Sequence, residues 1–114
     1  MNVQTLVRRL VRQVAEEVAS HPGRRVVSLR AHVGELAGVE SAALSRAYAN
    51  AVRHTPLHGT EVVIETDAPD AICDQCGNKF RFEVGKSECD KCGSMRLSLH
   101  GGEQFYLDSV LMED

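Results

Sequence analysis

"CDQCGNKF" at residues 73–80 is answered by "CDKCGSMR" at residues 89–96, and together these stretches hold all four cysteines of a 114-residue chain. Each is a C-x2-C pair followed at once by a glycine, Gly77 or Gly93, and twelve residues separate the pairs. Such a pair sits on a tight turn whose backbone N–H groups point at the sulfurs, and glycine takes the backbone angles the turn requires. Two turns facing each other offer four thiolates in a tetrahedron, the arrangement Zn2+ prefers, at about 2.3 Å per Zn–S bond. Iron in the same cage, disulfides and free thiols are the competing readings.

Energetics favour a structural metal. Residues 70–102 carry few large apolar side chains, chiefly Ile72, Phe80, Phe82, Val84, Met95, Leu97 and Leu99. These do not offset the entropy of ordering some thirty residues at about 1 kcal/mol or more each. Zinc binding at roughly 10 to 16 kcal/mol makes up that deficit. Lys79, Arg81, Lys86 and Lys91 partly balance the double negative charge of a four-thiolate centre. A shell closed by Cys73, Cys76, Cys89 and Cys92 leaves no place for water or substrate, so the metal is expected to hold a shape rather than to react. No further cysteine is left as a nucleophile. His21, His32, His54, His58 and His100 are scattered without ligand or triad spacing and read as surface groups. No acid/base pair stands out either, so the chain is not expected to be an enzyme.

Outward from the cysteines, the chain divides by periodicity. Val3, Leu6, Val7, Leu10, Val11, Val14, Ala15 and Val18 recur at steps of three and four, an apolar stripe on a helix over residues 3–19. Pro22 and Gly23 stop it, with His21 as a helix-terminal cation. Residues 25–33 alternate, with Val27, Leu29, Ala31 and Val33 on one side and Ser28, Arg30 and His32 on the other, which predicts a half-buried strand. A second helical stripe follows in Ala43, Leu44, Ala47, Tyr48, Ala51 and Val52, then a strand at 60–67. Residues 103–112 again read as extended and can return to that sheet. Because this last strand lies beyond the cysteines, the fold class is α+β: two helices on a small three-stranded sheet with an inserted four-cysteine zinc ribbon. Residues 1–69 with 103–114 form one domain, and 70–102 form the ribbon.

With 43% hydrophobic residues the chain supports one modest core plus a stapled appendage. It has no run long enough to span a bilayer and no secretory leader, so a cytoplasmic protein is expected, where paired cysteines bind metal more often than they form disulfides. Residues 1–60 hold eight Arg against four Glu, whereas residues 61–114 hold five Lys or Arg against twelve Asp or Glu. That asymmetry suggests two surfaces with different partners, although scattered arginines on a helix are also simply solvated. Nucleic acid is a poor partner: the metal-binding half is acidic and there are only five aromatic residues.

Taken together, the N-terminal helix, "VGELAGVESAAL" at 33–44, the C-x2-C-x12-C-x2-C ribbon and the ending "GGEQFYLDSVLMED" resemble the HypA/HybF family of hydrogenase nickel-incorporation proteins over essentially the full chain. The resemblance implies a nickel metallochaperone for [NiFe]-hydrogenase assembly, partnered by a nickel-handling GTPase and the hydrogenase large subunit, with structural zinc in the ribbon. One position departs from the family. Its members open Met-His-Glu, where the α-amine, backbone nitrogens and the second residue's imidazole bind nickel; here the opening is Met1, Asn2, Val3. Carried over are the Met1 amine and the backbone nitrogens of Asn2 and Val3, with Glu40 as a nearby acidic donor. Asn2 offers an amide oxygen, a weak donor to Ni2+. Three explanations compete: the chain binds nickel weakly or with a histidine borrowed from elsewhere, such as His32; it is a divergent zinc-ribbon adaptor that has lost nickel delivery but kept the partner-binding shape; or the start is misassigned, against which the ungapped spacing from Met1 to Glu40 counts.

Overall fold

The computed structural model describes residues 2–83 and 85–114. The first stripe forms helix α1, Val3–Ser20. Asn2 caps it, its Oδ1 accepting the Thr5 N–H at 2.8 Å. At the other end the His21 N–H donates to the Val18 carbonyl at 3.1 Å, before the turn at Pro22 and Gly23.

Strand β1, Arg25–Gly34, is central. It pairs in parallel with β2, Glu61–Asp67, and antiparallel with β6, Phe105–Glu113, giving the order β2-β1-β6. A parallel pair needs a long crossover, and residues 35–60 supply it with helix α2, Ser41–Ala51. The last strand therefore does return to the first sheet. Helix α2 begins two residues ahead of the expected Ala43, with Glu40 in the capping position.

Both helices cover one face of this sheet. Leu6, Leu10 and Val14 of α1, Leu44 and Tyr48 of α2, and Leu29, Ala31 and Val33 of β1 are buried together with Phe105. Alternation leaves Arg30 and His32 on the open face. Tyr48 is fully buried, burial pushes its phenol up to about 12, and its hydroxyl has no hydrogen-bond partner among the described residues. Replacing Tyr48 by Phe removes that stranded hydroxyl while keeping the ring. Thermal unfolding is expected to show a gain of about 1 kcal/mol, or a few degrees in Tm.

The cysteine segment contributes a second sheet that the sequence did not announce. Strands β3 (Asp70–Cys73), β4 (Lys79–Arg81) and β5 (Leu97–His100) pair antiparallel in the order β4-β3-β5. Their three or four residues are too few for alternation to be read.

The chain passes between the sheets at a tight joint. The Gly34 N–H donates to the Gln104 carbonyl at 2.7 Å, and the Leu36 N–H to the Gly102 carbonyl at 2.6 Å. Gly102 packs on Leu36 and on Pro69, which is fully buried. The Pro69 carbonyl in turn accepts the Phe82 N–H at 3.0 Å.

Candidate metal centre

Each cysteine pair is built by the same local hydrogen bonds. The Gly77 N–H donates to the Cys73 carbonyl at 2.9 Å, and the Gly93 N–H to the Cys89 carbonyl at 3.0 Å. The turns close by Cys73 N–H to the Asn78 carbonyl, 2.9 Å, and Cys89 N–H to the Ser94 carbonyl, 2.8 Å. Gly77 and Gly93 adopt φ of 76° and 74°, a region costly for any side chain bearing Cβ. Backbone N–H groups of Cys76 and Lys91 point at the sulfurs of Cys73 and Cys89, at 3.5 and 3.3 Å.

The two turns face each other directly. Cys73 Sγ lies 3.5 Å from Cys92 Sγ, and Cys76 Sγ lies 3.6 Å from Cys89 Sγ. All four sulfurs fall within 4.8 Å of one another. A tetrahedron with Zn–S bonds of about 2.3 Å has S···S edges of about 3.8 Å, so the cage has the dimensions of a four-thiolate metal site. Cys73 and Cys89 are buried and Cys76 and Cys92 exposed, which places the site at the edge of the ribbon.

Charge also fits a cation. Cys89 is pulled down to about 6, first by the backbone N–H of Cys92 and also by Lys91 and Asn78. Cys92 receives help from the Ser94 N–H, yet its neighbouring sulfurs and burial push it up to about 12. Four thiolates cannot ionise together at this spacing without a cation among them. Of the basic side chains expected to balance the centre, Lys86 pairs instead with Asp90.

The N-terminal positions have different local roles. Met1 lies outside the described residues, as does Val84. Asn2 spends its side-chain oxygen on the α1 cap, and Val3 is the first residue of that helix. Glu40 precedes α2 with its side chain exposed and making no capping bond, while its carbonyl accepts the Leu44 N–H at 3.0 Å.

His32 differs from the surface group expected. Its side chain is only 15% exposed and sits among carboxylates. Nδ1 lies 3.0 Å from both oxygens of Asp67, and Nε2 lies 3.1 Å from Asp108 Oδ2 and 3.6 Å from Glu65 Oε2. Its ring stacks on Tyr106 with centroids 4.9 Å apart. It lies on the sheet face away from α1, with both nitrogens directed at carboxylates. Among the described residues, only the four cysteines bring three or more ligand atoms to one point. Sequence reasoning missed this cluster. The available signal was Glu65 with Asp67 and Tyr106 with Asp108, each spaced by two on a predicted strand.

Two helices on one face of a three-stranded sheet, with a four-cysteine ribbon inserted before the last strand, define a small α+β class with four sulfurs spaced to hold a metal. A family model described as "Hydrogenase/urease nickel incorporation, metallochaperone, hypA" matches residues 1–112, and the chain belongs to this HypA family. The hydrogenase maturation factor HypA of Chlorobium limicola is 33% identical over 90 residues, covering 79% of this chain and 78% of the relative. That of Chlorobaculum parvum is 26% identical over 113 residues, covering 99% and 100%. In three dimensions the solution structure of the Ni metallochaperone HypA from Helicobacter pylori matches with a TM-score of 0.65 at 17% identity, over 98% of this chain and 97% of that one. The latter likeness speaks to the fold. No helix among the described residues is long and apolar enough to cross a membrane.

Proposed function

We propose that this chain is a cytoplasmic, non-enzymatic nickel metallochaperone for [NiFe]-hydrogenase maturation, with a structural zinc held by Cys73, Cys76, Cys89 and Cys92. The family match over residues 1–112, spanning both sheets, is the observation that carries this reading. Residues 1–69 with 103–114 act as the nickel-type domain and 70–102 as the ribbon domain. The zinc supplies rigidity alone, because four sulfurs saturate it. Nickel is cargo, taken transiently by the Met1 amine and the backbone nitrogens of Asn2 and Val3 with Glu40 as an oxygen donor. It is passed to a nickel-handling GTPase and the hydrogenase large subunit.

A second reading is favoured by one observation: Asn2 stands where the family has His, and its side chain serves the helix cap. On that reading the protein is a zinc-ribbon adaptor that binds its partners without nickel. Calorimetric nickel titration of protein with an authentic N-terminus separates the two. The metallochaperone requires binding tighter than about millimolar, and weaker binding assigns the adaptor role. Asn2→His is expected to raise nickel affinity at least tenfold, about 1.4 kcal/mol, if the missing imidazole limits the site. Partner capture that is equal with and without nickel is the adaptor's signature.

A further inference from the structure

The carboxylate-lined histidine on the open face of the first sheet belongs to neither the cysteine cage nor the N-terminal nickel positions. His32 sits at the middle of the three strands, in register with Glu65 on β2 and Tyr106 on β6. The charged groups facing it are Glu65 and Asp67 from β2 and Asp108 from β6, while Arg30 on its own strand is paired with Glu65. A neutral imidazole has one N–H to give and would turn a lone pair toward one of the carboxylates. Only the imidazolium has donors on both sides, so the geometry matches the charged ring, and the stacked Tyr106 face favours a cation further. Because its nitrogens point to carboxylates on opposite sides, ring and carboxylates do not converge on a metal-sized point.

The position of Asp67 turns this cluster into a device. It is the last residue of β2, pairs with Gly34, and leads through Ala68 and buried Pro69 into β3. We propose that His32 is a proton-operated pin: as the imidazolium it ties Asp67 of β2 to Asp108 of β6 across β1 and so fixes the crossing to the cysteine ribbon, and losing its proton loosens that crossing. Without the proton, Asp67 and Asp108 face each other across a neutral ring and the end of β2 has lost its charged anchor. The joint then opens more easily, whichever metal the ribbon holds.

Hydrogen bonding to Asp67 is the largest influence on His32, and with Asp108 and Glu65 it outweighs desolvation, so the folded ring keeps its proton above the ordinary value of 6.5. A raised folded value means the contribution is complete below the ordinary value, is lost as pH climbs to the folded midpoint, and is absent beyond it.

The test is a proton NMR titration of the metal-loaded full chain, combined with amide-exchange protection factors at residues 66–70 and 102–105. The His32 midpoint is expected above the ordinary imidazole value. Protection at the joint should fall by up to about tenfold per pH unit between that value and the midpoint, then level off, the limit for release of one proton. In His32→Gln the protection should no longer follow pH in this window. Asp108→Asn, which keeps the ring, should lower the midpoint and narrow the window. If His32→Gln fails to fold, the wild-type and Asp108→Asn titrations decide. A His32 midpoint at or below the ordinary value, or an unchanged pH dependence in His32→Gln, overturns the proposal.

Discussion

Cys89→Ser is expected to release the metal and melt residues 70–102 while α1, α2 and the β2-β1-β6 sheet stay folded. Among the described residues of that segment only Ala71, Cys73 and Cys89 are buried hydrophobics, too little apolar surface to pin strands of three or four residues. Ordering the segment costs about 1 kcal/mol or more per residue, and without the roughly 10 to 16 kcal/mol of zinc binding the remaining packing does not offset it. Cys89 is the sensitive position because its sulfur receives the Lys91 N–H and the Asn78 amide while lying 3.6 Å from Cys76 Sγ. Two-dimensional amide spectra should show ribbon resonances collapsing to the unstructured region and first-sheet resonances persisting, with metal analysis reporting no zinc. A metal-free protein whose ribbon signals stay dispersed would refute the structural role.

Gly34→Ala carries the second large effect, for a reason unrelated to metal. A Cβ at this position would lie 2.1 Å from the Gly102 carbonyl oxygen, 2.2 Å from its carbon and 2.6 Å from the Glu103 nitrogen. All three are backbone atoms of the segment returning from the ribbon, so no rotamer change relieves the overlap. Two hydrogen bonds across the same contact, from Gly34 and Leu36, must break for it to open. The loss is expected at about 3 kcal/mol or more, at the upper end for overpacking. Urea unfolding measures it, and a change below about 1 kcal/mol would mean that the joint gives way readily.

Much of this was visible in the residue order. The α1 stripe, the alternation of β1 and the glycine after each cysteine pair express local periodicities or turn demands, which survive in any tertiary context that buries them. The four cysteines declared their cage through spacing alone. The short ribbon strands did not declare themselves, since they are specified by the metal turns at their ends rather than by pattern. His32 was equally opaque: its neighbours come from strands 35 and 76 residues away in sequence, and their register is decided by parallel pairing on one side and an antiparallel pair with two irregularities on the other. Asn2 was read for its donor chemistry, and its use as a helix cap emerged only with the backbone in place.

Insertion of the ribbon between β2 and β6 has a consequence for how the chain assembles. Strands β2 and β6 flank β1 but are separated by roughly forty residues, whose loop must close before the sheet is complete. In the folded ribbon Asp70 is paired with His100, so the spacer shrinks to about six free residues and the closure penalty drops by about 1.5 kcal/mol. Metal capture in one half of the molecule thereby acts as a splint for the other, bringing the final strand alongside its partner before any of its own ladder has formed.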